Sequence, residues 1–176
     1  MGKSRKNRTH RKINRSLSIA KKMFGSEYNS GRYQTYHFAF IFQKNKLIST
    51  GINNPIKPNA KASYFGYKFG IKKYQKYSFL HAEIDAIAKC WGKTYLDKSY
   101  SMIIIRINSY GEIKNSKPCD DCSYILDSLN IIDIWWSNNF GEITNGEILC
   151  PVGKFEASCS GRNGNGSLSC VHGADF

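Results

Sequence analysis

Four stretches decide the fold: His81–Trp91, HAEIDAIAKCW; Ser101–Ile107, SMIIIRI; Pro118–Leu129, PCDDCSYILDSL; and Ile131–Trp136, IIDIWW. In the first, Ile84, Ile87, Ala88 and Trp91 recur at helical steps and form one apolar stripe. The second holds four isoleucines and a methionine, which reads as a strand covered on both faces. The third opens on a proline, suited to a helix start, and turns Tyr124, Ile125, Leu126 and Leu129 inward. The fourth is rich in β-branched and aromatic residues and reads as another strand.

The pattern extends outward on both sides. Tyr36–Phe42 reads as a strand, Gln43-Lys44-Asn45 as a turn, and Lys46–Thr50 as a second strand. Gly51-Ile52-Asn53-Asn54-Pro55 breaks it. One short helix is expected around 65–76. Tyr110–Ile113 reads as a turn or strand extension. Asn138–Gly141 signals a turn, and Glu142–Ile148 a fifth strand returning beside the fourth. The order β-β-α-β-α-β-β describes an α/β fold, one sheet with helices packed on it.

A length of 176 residues suits one domain that buries roughly 70% of its unfolded surface. With 41% hydrophobic and 22% charged residues the body is globular. Lys and Arg number 26 against 13 Asp and Glu, a net charge of +13, which excludes an acidic solvating protein and points to anionic partners. Nine of those charges lie in residues 1–24, which contain no acid. Residues 1–12 are expected to be a basic disordered arm. Ile13, Leu17, Ala20, Met23 and Phe24, at steps of three and four, predict a short helix after it. The main domain is expected over 13–150 and a Gly/Ser-rich flexible tail over 151–176. No apolar run suits a membrane span, so the chain reads as cytoplasmic, with nuclear placement left open by the basic arm. Six cysteines in such a chain read as metal ligands or free thiols.

Cys119-Asp120-Asp121-Cys122 at a helix start places two sulfurs one turn apart, where the helix dipole favours thiolates. With His81 they make a three-ligand zinc set whose fourth tetrahedral position is open, the mark of a catalytic site. Glu83, two residues after His81, points away from the ligand direction and suits a proton carrier. A closed structural site would need a fourth ligand. Cys90 lies more than two turns from His81 and is too far, whereas Cys150 stays open. Cys150, Cys159 and Cys170 with His172 match no compact zinc pattern.

His81-Ala82-Glu83 with Pro118-Cys119-x-x-Cys122 resembles the zinc motif of the cytidine/deoxycytidylate deaminase superfamily, over roughly residues 36–149. The resemblance implies a three-layer α/β/α cytidine-deaminase-like fold with a mixed sheet of about five strands. It implies a zinc-dependent hydrolytic deaminase in which Glu83 moves the protons. Gly51-Ile52-Asn53-Asn54-Pro55 resembles a stretch preceding the histidine motif in tRNA adenosine deaminases. That implies a substrate contact from Asn53, or from Asn54 if the register is off by one, with Ala82 and Pro118 also lining the substrate site. Otherwise the stretch is a plain Asn/Pro turn.

The motif does not name the base. Aromatic and lysine residues alternate between Tyr64 and Phe79. They suit stacking on bases and holding phosphates, or a helix with its aromatic side, including Phe65, Phe69, Tyr67, Ile71 and Tyr74, packed on the sheet. The insertion resembles deoxycytidylate deaminases, whereas a final pair of antiparallel strands resembles cytidine deaminases. The leading expectation is a cytosine nucleoside or nucleotide, such as dCMP or cytidine. The alternatives are editing of cytosine or adenine in single-stranded DNA or RNA, and a non-catalytic nucleic-acid-binding module with a zinc site. The partner is then a nucleotide or single-stranded nucleic acid, with no membrane. Members of the superfamily are often homo-oligomers.

Overall fold

The computed structural model describes residues 2–25, 35–56, 58–76 and 79–146. The tail expected over 151–176, with Cys150, Cys159, Cys170 and His172, lies outside them, as does Tyr77. In chain order the elements are α1 (Gly2–Met23), β1 (Thr35–Gln43), β2 (Lys46–Ile52), α2 (Ala60–Lys68) and α3 (Lys72–Lys76). Then follow α4 (Ala82–Cys90), β3 (Tyr100–Asn108), β4 (Ile113–Lys114), α5 (Asp120–Ser128), β5 (Asp133–Ser137) and β6 (Ile143–Asn145). No described helix is long and apolar enough to cross a membrane.

Among the described residues the sheet has six strands, in keeping with the expected mixed sheet of about five. Its order is β2-β1-β3-β5-β6, and the two-residue β4 folds back on the end of β3. Only β3 and β5 run parallel, because α5 crosses between them. The final pair, β5 and β6, is antiparallel, as the turn at Asn138–Gly141 predicts.

Alternation along β1 divides the core. Ala39 and Ile41 point to one face, with Met102 and Ile104 of β3 and Ile134 and Trp136 of β5. The helices α2, α3, α4 and α5 cover that face with residues such as Phe65, Tyr74, Ile84, Ile87, Ile125 and Leu126. Tyr36, Phe38, Phe40 and Phe42 point the other way, with Ile103, Ile105 and Ile107. There α1 lays down Ile13, Leu17, Ala20 and Met23, and the ring of Phe24, just past its end, meets Tyr36 edge-on at 5.3 Å. Strand β3 is thus buried on both sides, and the result is three layers, α/β/α.

Two expectations need correction. Residues 2–12 are not a disordered arm but the first turns of α1. Hydropathy could not show this, because the anchor is polar. Lys12 is buried, donates to Ser101 Oγ at 2.8 Å and pairs with Asp133 at 3.5 Å. The helix expected around 65–76 is two helices, α2 and α3. Gly70, at φ 69°, turns the chain left-handed between them. The break carries Phe65, Ile71 and Tyr74 into the core, but leaves Tyr67 70% exposed instead of packed on the sheet.

Candidate metal centre and active site

The site forms at the carboxyl ends of the parallel strands β3 and β5, the usual position for a site in such a sheet. Two helices begin there. His81 is the N-cap of α4 and Cys119 the N-cap of α5, both in extended backbone, so the motif residues stand at facing helix starts.

Each half is held by a specific device. Asn54 and Leu80 exchange both backbone hydrogen bonds (2.8 and 3.2 Å), which ties the chain before His81 to the end of β2. Gly51 of β2 lets α4 press onto the sheet. A Cβ there would lie 2.0 Å from the Ala82 carbonyl oxygen and 2.3 Å from the Ala86 nitrogen. Asp85 of α4 accepts from the Ile52 amide and pairs with Lys61 (2.9 Å) and Lys89 (2.6 Å). On the other half, the loop entering α5 is fastened by two buried serines. Ser116 Oγ donates to the Ile104 carbonyl (2.8 Å) and meets Ser137 Oγ (2.9 Å). Ser137 Oγ bonds the Lys114 carbonyl at 2.6 Å.

His81 Nδ1 then lies 3.5 Å from Cys119 Sγ and 3.4 Å from Cys122 Sγ, and the three donor atoms all fall within 4.8 Å of one another. Bonds of about 2.0 Å to nitrogen and 2.3 Å to sulfur at tetrahedral angles require a separation of about 3.5 Å. One imidazole and two sulfurs form a soft-to-borderline donor set. Both the spacing and the chemistry fit a metal ion. This is the one such His/Cys/Asp/Glu group among the described residues, and Glu83 is not part of it. Cys90 is buried away from the group, turning its thiol to the carbonyls of Ala86 and Ile87.

The cluster is compact, exposed at Cys119 and buried at Cys122. The hydrogen bond from Cys122 depresses the Cys119 thiol to about 3, against the opposing effect of burial and with help from His81. Cys122 is pushed well above the usual thiol value by that same bond and by burial. Burial works against a charged His81, but the bond to Cys119 and the nearby Glu83 raise it on balance. Glu83 is buried, and burial raises it in spite of His81. The neighbouring Cys122 works against that rise.

Three residues beside the cluster escaped the sequence reading as parts of the site. The Tyr74 hydroxyl of α3 lies 3.4 Å from Cys122 Sγ, and its ring meets the His81 ring edge-on at 5.4 Å. His37 and Arg106 face each other across β1 and β3, on the side of the sheet that carries the cluster. Burial first, then Arg106 and His81, lowers His37 to about 4. No local pattern marks these three, since each is defined by a partner far away in the chain.

The expected substrate contacts are placed as follows. Asn53 Oδ1 accepts from the His37 amide (2.8 Å) and its Nδ2 donates to the Thr35 carbonyl (3.4 Å), which joins the end of β2 to the start of β1. Asn54 Oδ1 bends back to the Ile56 amide at 3.2 Å. Ala82 and Pro118 are both buried, next in sequence to His81 and Cys119 respectively.

No protein-family model matches the chain, and neither does any curated protein. Solved structures do. One is the dCMP deaminase of the cyanophage S-TIM5, with 16% identity, 72% of this chain and 83% of that one covered, and a TM-score of 0.42. Another is the cytidine deaminase of Mycobacterium leprae, with 15% identity, 75% and 91% covered, and a TM-score of 0.43. A third is the cytidine deaminase of Mycobacterium tuberculosis, with 15% identity, 72% and 84% covered, and a TM-score of 0.41. The chain is thus distantly similar to dCMP and cytidine deaminases, at a level that leaves its reaction to be argued from the site itself.

Proposed function

We propose that the protein is a zinc-dependent hydrolytic deaminase that converts a cytosine nucleoside or nucleotide, such as dCMP or cytidine, to the uracil form and releases ammonia. One observation carries this reading: His81, Cys119 and Cys122 converge with the buried Glu83 carboxylate beside them. Zinc held by this set would act as a Lewis acid and activate a water molecule near neutral pH.

The protein's own part is proton transfer. Glu83 takes a proton from the water that adds to the ring carbon bearing the exocyclic amine, and gives it to the adjacent ring nitrogen. It then takes the proton of the newly added hydroxyl and passes it to the amine; the C–N bond breaks as the carbonyl forms, so one water enters and one ammonia departs. A carboxyl raised by burial suits this cycle, because it holds a proton more readily between the two transfers than an exposed carboxyl would. Two thiolates cancel the charge of a divalent ion, so water activation leans more heavily on Glu83 than in an all-histidine site.

Arg106 favours an anionic substrate. Its Nε is buried and has no hydrogen-bond partner, and its neighbour His37 is held neutral. A phosphate-bearing nucleotide would supply the missing acceptor. Asn53 keeps a second amide N–H and a second oxygen lone pair for the sugar or base edge.

The test is ammonia release from dCMP, cytidine, and single-stranded DNA and RNA oligonucleotides, using zinc-loaded protein. Turnover confined to free nucleosides or nucleotides, with dCMP ahead of cytidine, is expected. Turnover of oligonucleotides alone would replace this reading with editing. Oligonucleotide binding with no ammonia from any substrate would replace it with a non-catalytic module.

A further inference from the structure

His37 has no part in the proton transfers, yet the backbone holds it within the site. The register of the sheet sets it opposite Arg106 of β3 on one side. On the other side Asn53 closes on it. The Asn53 amide donates to the His37 carbonyl at 3.2 Å, and Asn53 Oδ1 accepts from the His37 amide at 2.8 Å. Asn54 pairs with Leu80 in antiparallel fashion, so Asn53 lies opposite His81. Arg106, His37, Asn53 and His81 therefore follow one another across four neighbouring backbone segments, about 5 Å apart at each step. Arg106, His81 and Cys119 all act electrostatically on His37, which agrees with a place between the metal centre and the arginine.

The direction of the imidazole follows from the alternation of β1. Tyr36 and Phe38 pack on the α1 side, so His37 and Ala39 point to the face that carries α4 and α5. Both backbone groups of His37 are spent on Asn53. Neither ring nitrogen has a hydrogen-bond partner among the described residues. The ring is half-buried, and burial with Arg106 and His81 keeps it neutral. A neutral imidazole offers one donor and one acceptor. A hydroxyl group offers the same two functions and matches it. A phosphate offers acceptors and suits the arginine instead.

We infer that His37 recognises the sugar of the substrate, through a hydrogen bond to a sugar hydroxyl. This rests on the deaminase reading, which sets the reacting ring carbon at His81, Cys119 and Cys122 and the anionic end of the substrate at Arg106. The sugar joins those two ends, and His37 is the side chain that lies between them. It is a specificity residue, which touches the substrate and moves no proton in the reaction.

Calorimetric titration of dCMP and of its dideoxy analogue ddCMP tests this. Zinc-loaded Glu83→Gln protein is the reference, because it should bind nucleotide without turning it over. dCMP has one sugar hydroxyl and ddCMP has none. One hydrogen bond of this kind should favour dCMP by about 10-fold. Adding His37→Phe keeps a planar ring and removes both ring nitrogens. The preference should then fall below about twofold, through weaker dCMP binding alone. His37→Ala, which brings no bulk to be accommodated, should give the same result. His37→Gln carries both a donor and an acceptor and should keep a preference of at least about threefold. Zinc content and Tm should match the reference throughout. A merely structural role would weaken both ligands alike and leave their ratio unchanged. An unchanged ratio in the Phe and Ala variants, a reference protein without the preference, or no binding of dCMP would overturn the inference. Ammonia release by the parent protein is measured alongside. Hydroxyl recognition through His37 with no ammonia released would uphold the inference and reject deamination.

Discussion

Gly51→Ala tests how the fold positions the metal centre. The added methyl would sit 2.0 Å from the Ala82 carbonyl oxygen, where ordinary contact begins at 3.4 Å. The first turn of α4 would have to retreat by about 1.4 Å, since the obstacles at Ala82 and Ala86 include backbone atoms that cannot rotate away. Overpacking of this kind costs about 1–3 kcal/mol, and the upper end applies against backbone. In a chain of this size that lowers Tm by roughly 6–12 °C. The displacement also carries His81, the N-cap of α4, away from Cys119 and Cys122, which belong to α5. Metal–ligand distances tolerate only about 0.2 Å, so zinc affinity should fall at least ~10-fold. Thermal unfolding and competition with a chromophoric chelator measure the two effects. A variant with parental Tm and parental zinc affinity would show that α4 does not depend on this close approach, and would refute the reasoning.

Further outcomes follow from the surroundings of the cluster. Tyr74→Phe removes the hydroxyl beside Cys122 and keeps the ring on His81. Zinc affinity should drop about 10-fold, and the thiolate-to-metal absorption of the cobalt-substituted protein should shift, with little change in Tm. Asp85→Asn should cost about 1–3 kcal/mol at pH 7, read by denaturant unfolding. Burial works against the Asp85 carboxylate, but its bonds to Lys89 and Lys61 outweigh this and hold it below its ordinary value. Its contribution is therefore complete above the unfolded carboxyl value near 4 and lost as pH falls through the folded one. The Asn variant should converge on the parent in acid. Because Cys122 is held well above the usual thiol value, zinc uptake near pH 7 should release at least about one proton, seen by calorimetry in buffers of different ionisation enthalpy.

The sequence reading succeeded where information is local. Isoleucine density predicted the double-sided burial of β3, and the stripe of Ile84 and Ile87 predicted α4. The convergence of His81, Cys119 and Cys122 was legible because chemistry restricts which residue types can bind an ion, and helix geometry restricts their spacing. What escaped depends on contacts across the fold. Lys12 reads as one more arm cation, until Ser101 and Asp133 are seen to receive it. Ser116 and Ser137 are ordinary loop and strand residues until each finds the other. Tyr74 belonged to a run of similar aromatics, and only the turn at Gly70 decides that it, and not Tyr67, faces inward.

The central claim is that Glu83 performs the proton transfers of a zinc site it does not itself ligate. It is tested most directly by Glu83→Gln, with bound zinc and ammonia release measured on the same preparation. The account predicts near-stoichiometric zinc and no ammonia from a nucleotide that the parent protein deaminates. Substantial turnover by the variant, or loss of its zinc, would contradict it.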